Sequence, residues 1–139
     1  MQEKISIGQI DIIVHEESEF IEMLWHSPTD SPTYREACLA ILKILEKRPF
    51  YKFLYDQRQM TDISVADTKW TYEEYYPIYM QIVQRHKKSA VILSSNIFGE
   101  FSVKRIVNGI EKVTKTDENT LNNQYFQTKE SAVKWLLSD

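Results

Sequence analysis

Cysteine is almost absent: Cys38 stands alone in 139 residues, which excludes an intrachain disulfide and a cysteine-rich metal knuckle. Glycine and proline are nearly as scarce, at three and four residues, so there is no low-complexity linker, no glycine-rich phosphate loop and no repeat of fixed period. Positive charge is not in excess either. Against 20 Asp and Glu stand 17 Lys and Arg, a formal charge of -3, and that balance gives no general attraction to a phosphate backbone. No apolar run approaches the roughly 20 residues that cross a bilayer. The opening Met1-Gln-Glu-Lys-Ile-Ser lacks the basic and then apolar character of a secretory leader, so the expected location is cytoplasmic.

What is present is 42% hydrophobic and 12% aromatic content, enough for one core and a single domain over residues 1–139. Ile10 to Val14 and Phe20 to Trp25 are β-rich runs either side of His-Glu-Glu-Ser-Glu and predict an antiparallel hairpin. Tyr34, Cys38, Ile41 and Leu45 recur at helical spacing until Pro49. Phe50 to Tyr55 predicts an interior strand, and Ala90 to Leu93 a central strand covered on both faces. Between them lies a helical region, with Ser64 three residues before Asp67 and Thr71 three before Glu74 as expected N-caps, and Pro77 in a first turn or a kink. Val103, Ile106, Val107, Ile110 and Val113 predict a further amphipathic helix. Gln124 to Phe126 reads as a last strand, and Thr128 as the cap of a closing helix.

The expected fold is therefore α/β: a mixed sheet of about five strands with an N-terminal hairpin and about four helices, in the order ββαβαβαβα. Ligands of open sheets gather beyond the strand carboxyl ends. Here those are Asp56 to Asp62, Ser94 to Phe98 and Phe126 to Lys129.

Four stretches carry a family resemblance: Tyr55-Asp56-Gln57-Arg58-Gln59-Met60 at a strand end, Trp70 through Pro77, Val91-Ile92-Leu93-Ser94, and Tyr125-Phe126 followed by Glu130 through Leu136 with its Trp-Leu pair. Their order over nearly the whole chain resembles the STAS-like family, which includes anti-sigma factor antagonists, the cytoplasmic domains of sulfate transporters and a branch of short uncharacterised bacterial proteins. The resemblance implies a STAS-like fold and a non-catalytic regulatory or interaction module. It also shows a departure. Where the antagonists carry an Asp-Ser-Ser-Gly-like stretch with a phosphorylatable serine, this chain reads Asp56-Gln57-Arg58-Gln59, so a phosphoserine switch is not supported at that spot and nothing in the motif carries it onto the nearby Thr61 or Ser64. Lipid-binding CRAL-TRIO folds share part of the layout, and a hydrophobic ligand is allowed by that analogy alone.

Asp56, Arg58 and Asp62 form the leading polar cluster, because loops at strand ends are where sites are built. Arginine can grip an anionic ligand bidentately, but an Asp–Arg pair equally fixes a loop, and the structural use is favoured. Ser94, Ser95 and Phe98 are the matching candidates after the next strand; with no G-x-S-x-G or phosphate-loop motif, the serines suit loop caps better. Trp70, Tyr72, Tyr75, Tyr76 and Tyr79 crowd one helical stretch. They could wall a ligand or partner site, Trp70 and Tyr76 foremost, but their i, i+3, i+4, i+7 spacing favours core. His15, His26 and His86 lack ligand spacing, so no metal and no cofactor are expected. The basic run Arg85-His86-Lys87-Lys88 and the lysines beyond it suit a solvated face, and nucleic acid is a minor alternative. Cys38 lies on an apolar helix face and is expected to be a buried, inert thiol.

The function expected is binding of a protein partner or a small anionic or apolar ligand at the strand carboxyl rim, without catalysis. Two alternatives stand beside it: a small enzyme using Asp56 as acid or base with Arg58 holding an anionic substrate, and a homodimer built through the Trp70–Tyr79 region.

Overall fold

The computed structural model describes residues 2–60, 64–83, 88–92 and 122–138. Along the chain run β1 (Gln2–Ile7), β2 (Ile10–His15), β3 (Phe20–Trp25), α1 (Ser31–Lys47), β4 (Lys52–Asp56), α2 (Val65–Trp70), a π-helical turn (Thr71–Tyr75), α3 (Tyr76–Ile82), β5 (Lys88–Ile92), β6 (Asn123–Phe126) and a closing helix, α4 (Lys129–Leu136). The six strands form one sheet in sequence order. The first three pair antiparallel, and β3 through β6 pair parallel.

Among the described residues six strands replace the expected five. The additional strand is β1, which the sequence hides because Gln2, Glu3 and Lys4 give no apolar signal and the strand is mostly exposed at the sheet edge. It joins β2 through the two-residue turn Gly8-Gln9. Gly8 sits at φ +56°, and an added Cβ would lie 2.9 Å from Thr33 Cγ2 of α1, so glycine answers both the backbone and the close approach. The expected helix over Val103 to Val113 lies outside the described residues.

Period-two alternation sorts the sheet into two faces. Ile10, Ile12 and Val14, then Ile21, Met23 and Trp25, then Phe53 and Val91 meet α1 and α3 in the larger core. The opposite face brings Phe20, Leu54, Ala90 and Ile92 against Ala132 and Leu136 of α4. Each fully buried side chain of this kind contributes roughly 1.5–3 kcal/mol of transfer free energy. Helices thus cover both faces of the central strands, as the apolar run through β5 demands.

Helix α1 starts where Asp30 accepts the Thr33 amide at 2.9 Å, carries Pro32 in its first turn and ends at Arg48, before Pro49. Its buried residues Tyr34, Ala37, Cys38, Ile41, Leu42 and Leu45 follow one helical stripe. Ser64 caps α2 by accepting from the Asp67 amide, and Thr128 caps α4 by accepting from Ser131.

The second expected cap is corrected. Thr71 lies inside a continuous helical run, and its hydroxyl donates to the Asp67 carbonyl at 2.7 Å, the back-bond a mid-helix threonine makes when no end is available to cap. The π turn that starts there has the Tyr76 amide bonded to Thr71 O, five residues back. It runs directly into α3, whose second residue, Pro77, has no N–H to continue an α-type ladder, so the helix widens by one residue ahead of the proline. Tyr75, Tyr76 and Tyr79 are buried in the larger core, with Tyr72 packed partly against it, as their spacing favours. Among the described residues no helix is long and apolar enough to cross a membrane.

Candidate functional site

Asp56 ends β4 opposite Leu24 and Ile92, on the face that carries α4. Arg58 reaches back to it with a two-point grip: Nε donates to Oδ1 at 2.9 Å and an η nitrogen to Oδ2 at 2.7 Å. This hydrogen bonding raises the Arg58 pKa still further. Lys129, in the first turn of α4, stands 4.0 Å from Asp56 Oδ2 and 2.5 Å from Glu22 Oε2. His15 Nε2 meets the other Glu22 oxygen at 2.8 Å, while its ring stacks on Phe20 at 4.2 Å. Gln2 Nε2 lies 3.0 Å from His15 Nδ1; the amide can donate there, leaving Nε2 to donate to Glu22.

Glu22 and Asp56 are each only 1% exposed, and the two buried carboxylates are matched by Lys129 and Arg58. The cluster is balanced. Both Asp56 oxygens are engaged, so it offers a scaffold that ties the loop after β4 and the start of α4 to the sheet rather than a free acid or base. A lysine in the first turn opposes the helix dipole; the two carboxylates beneath it supply the reason it is there.

Of the residues expected at the rim, Asp56 and Arg58 do come together; Asp62, Ser94, Ser95 and Phe98 lie outside the described residues. Trp70 is half-buried, edge-on to Tyr34 and stacked on Tyr75 at 5.9 Å, with the Arg35 guanidinium 5.1 Å from its ring centre. Tyr76 packs into the core 5.4 Å from Tyr79. Its hydroxyl, pushed up to about 12 by burial, has no hydrogen-bond partner among the described residues.

A second constellation lies at the same rim on the α1 face. There Trp25 ends β3, Thr29, Ser31 and Tyr34 lead into α1, and Met60, Ser64 and Asp67 close the other side around a cavity of about 330 Å3. Asp67 organises its polar wall. Ser31 Oγ donates to one carboxylate oxygen, and Arg35 Nε donates to the other at 2.7 Å. Burial pushes the Asp67 pKa up, but the hydrogen bonds of Ser31, Arg35 and Ser64 and the charge of Arg35 outweigh it, and the net shift is downward. Because Thr71 spends its proton on Asp67 O, the 2.7 Å contact between Tyr34 and Thr71 is one in which Tyr34 donates. Trp25 is 2% exposed, and its indole N–H is buried without a hydrogen-bond partner among the described residues.

Sequence reasoning missed Trp25, Ser31, Tyr34 and Asp67 as one group. Only the capping pattern of Ser64 and Asp67 was visible, since the residues come from three separate elements. Glu22 did carry a signal: a lone charge inside Phe-Ile-Glu-Met-Leu-Trp is a buried ion awaiting a partner.

A third cluster resembles nucleophilic machinery in composition but not in order. Ser6 Oγ donates to Asp11 Oδ1 at 2.6 Å, and His26 Nε2 meets Asp11 Oδ2 at 2.7 Å. The carboxylate bridges the other two residues, whereas activation of a serine needs the histidine in the middle. The Ser6 hydrogen bond leads the causes that lower the Asp11 pKa. Among the described residues no group of three or more His, Cys, Asp or Glu could hold a metal ion.

No family model and no curated protein matches the chain. Among solved structures it is similar to an uncharacterised protein of the DUF3478 family from Shewanella loihica, described as having a SpoIIAA-like fold, at 13% identity over 98% of this chain and 92% of the other, with a TM-score of 0.46. The fold assignment itself stands on the strand order and pairing described above.

Proposed function

We propose that the protein is a non-catalytic binding module whose ligand is a small, uncharged, apolar-bodied molecule carrying a hydrogen-bond acceptor. The carrying observation is the cavity of about 330 Å3 beyond the carboxyl ends of β3 and β4, a size within the range of small-molecule sites and a position that open sheets favour. Trp25, Tyr34 and Met60 supply apolar surface, and Thr29, Ser31 and Ser64 supply hydroxyls. Among the described lining residues the one formal charge is that of Asp67. Its partner Arg35 is committed to it and to the Trp70 ring. Of the anionic and apolar ligands the sequence leaves open, this lining supports the second.

The hydroxyls of Thr29 and Ser64 in that lining add the polar requirement, since each can donate to a ligand acceptor. Benzamide and benzoate, which share a shape and differ in charge, test the proposal by calorimetry and tryptophan fluorescence. Benzamide is expected to bind at least about tenfold more tightly, and Asp67→Asn to remove most of that advantage. Preference for benzoate, or binding of benzamide untouched by a cavity-filling Met60→Trp, would overturn it.

A further inference from the structure

The free edge of β1 is fully determined by one hydrogen bond on the other side of β2. His26 N donates to Gln9 O at 2.9 Å, which makes Ile10 and Trp25 a pair whose backbone groups do not bond to each other. Ile10 therefore turns its N–H and C=O toward Ile7, its partner in β1. Alternation along the ladder then points the backbone of Ile7, Ile5 and Glu3 at β2, and that of Ser6, Lys4 and Gln2 away from the sheet. Gln2, Glu3, Lys4 and Ser6 are exposed, and among the described residues no further strand pairs with this edge.

Edge strands are usually blunted by proline, a bulge, shortness or several charges. β1 has six residues in unbroken register with β2 and no proline. Its two charges are Glu3, whose backbone faces β2, and Lys4, whose backbone faces the open edge, and Lys4 selects a register rather than blocking pairing. Two copies related by a two-fold axis normal to the sheet must pair residues lying on the same face. The registers that pair five residues of each strand are centred on Lys4 or on Ile5. The first sets Lys4 against its own copy, a like-charge pair. The second sets Lys4 against Ser6 of the second copy, Glu3 against Ile7, and Ile5 against Ile5.

In that second register Lys4 and Ser6 present outward backbone groups to each other and form the hydrogen-bonded pairs, while the two Ile5 side chains meet at the closer, non-bonded position. Ile5 and Ile7 already lie partly buried against the larger core. Pairing extends that apolar surface across the seam, on the same face in both copies. The Trp70 to Tyr79 region does not offer the same opportunity, since Tyr75, Tyr76 and Tyr79 are spent in the protomer's own core.

We propose that β1 is the seam of an antiparallel homodimer centred on Ile5, joining two six-stranded sheets into one continuous sheet. The occupant of the edge is a second copy of this chain, because the strand is complementary to itself in one register only.

The test is sedimentation equilibrium over a concentration series, combined with three variants. The unmodified chain is expected to reach twice its 16.5 kDa mass. Lys4→Pro removes an N–H that only the seam uses, a substitution an edge strand tolerates, and is expected to weaken dimerisation at least about tenfold with unchanged circular dichroism. Ile5→Cys is expected to form an interchain disulfide on mild oxidation, since non-bonded antiparallel partners have suitable Cα separation. Lys4→Cys is not. The resident Cys38 is buried and leaves the assay clean. A chain that stays monomeric throughout overturns the proposal, as does a dimer cross-linked by Lys4→Cys and not by Ile5→Cys, or one cross-linked by neither. Should Lys4→Pro fail to fold, the two cysteine variants decide alone.

Discussion

Lys88 Nζ lies 2.7 Å from the main-chain oxygen of Trp135 and 4.7 Å from the centre of its indole ring. The same ammonium donates to Ser138 O and Oγ at 2.8 and 2.9 Å. A cation at the first residue of β5 thus closes the carboxyl end of α4, where the helix dipole is negative and carbonyls lack helical partners. Because α4 covers the second core, this contact couples the helix end to a central strand.

Replacing that lysine with methionine keeps most of the apolar stem and removes the donor. Lys88→Met is expected to cost about 1–2 kcal/mol, read as a lower urea midpoint with unchanged slope. Amide exchange in α4 should accelerate more than in α1.

The cluster beneath α4 predicts an asymmetry. Removing Lys129 leaves Glu22 buried with only His15, whereas removing Glu22 leaves a lysine that is 40% exposed and still within 4.0 Å of Asp56. Lys129→Met is therefore expected to destabilise by about 1–3 kcal/mol, a buried-pair cost reduced by the exposure of the lysine. Glu22→Leu should cost less, and the double variant should recover most of the loss. Equal costs for the two single variants would sink this account.

Acid should act through Asp67 and Asp11, whose pKa values are both lowered in the folded protein. A carboxyl with a depressed folded pKa contributes stability above its unfolded value and loses it as pH falls through the folded one. The unfolding free energy is thus expected to be level near neutrality and to fall below about pH 4. Asp67→Asn should lower the plateau and flatten part of that acid limb, as followed by urea titrations between neutral and acid pH.

Cys38 supplies a probe of opening. Burial is the main cause that pushes its thiol up to about 12, so iodoacetamide at mildly alkaline pH is expected to leave the native protein unmodified. Labelling should track global unfolding with denaturant, by intact mass. Rapid native labelling would show that α1 lifts from the sheet on its own.

Much of the fold was legible because it repeats. The apolar stripe from Tyr34 to Leu45 marks α1 before any tertiary contact exists, and the runs Ile10 to Val14 and Phe20 to Trp25 mark their hairpin. Asp30, Ser64 and Thr128 lie at helix starts because a short acceptor satisfies amides within its own turn. Thr71 has the same chemistry and no helix start to cap, since the preceding turn never ends. β1 escaped detection because its alternation is only Ile5 and Ile7 after the polar Gln2, Glu3 and Lys4; its ladder is supplied by β2.

The candidate sites were legible only in fragments. Asp56 and Arg58 are two residues apart and could be seen to pair, but Glu22 and Lys129, which set their electrostatics, are separated by 107 positions. The cavity draws Trp25, Tyr34, Met60 and Asp67 from four places in the chain. Local pattern by itself determined the α1 stripe, the β2–β3 hairpin and the apolar run of β5. Only the tertiary structure decided which charges neutralise one another, which polar atoms lie buried without partners and which strand edge stays open, because those depend on distances between residues that the chain brings together only by folding.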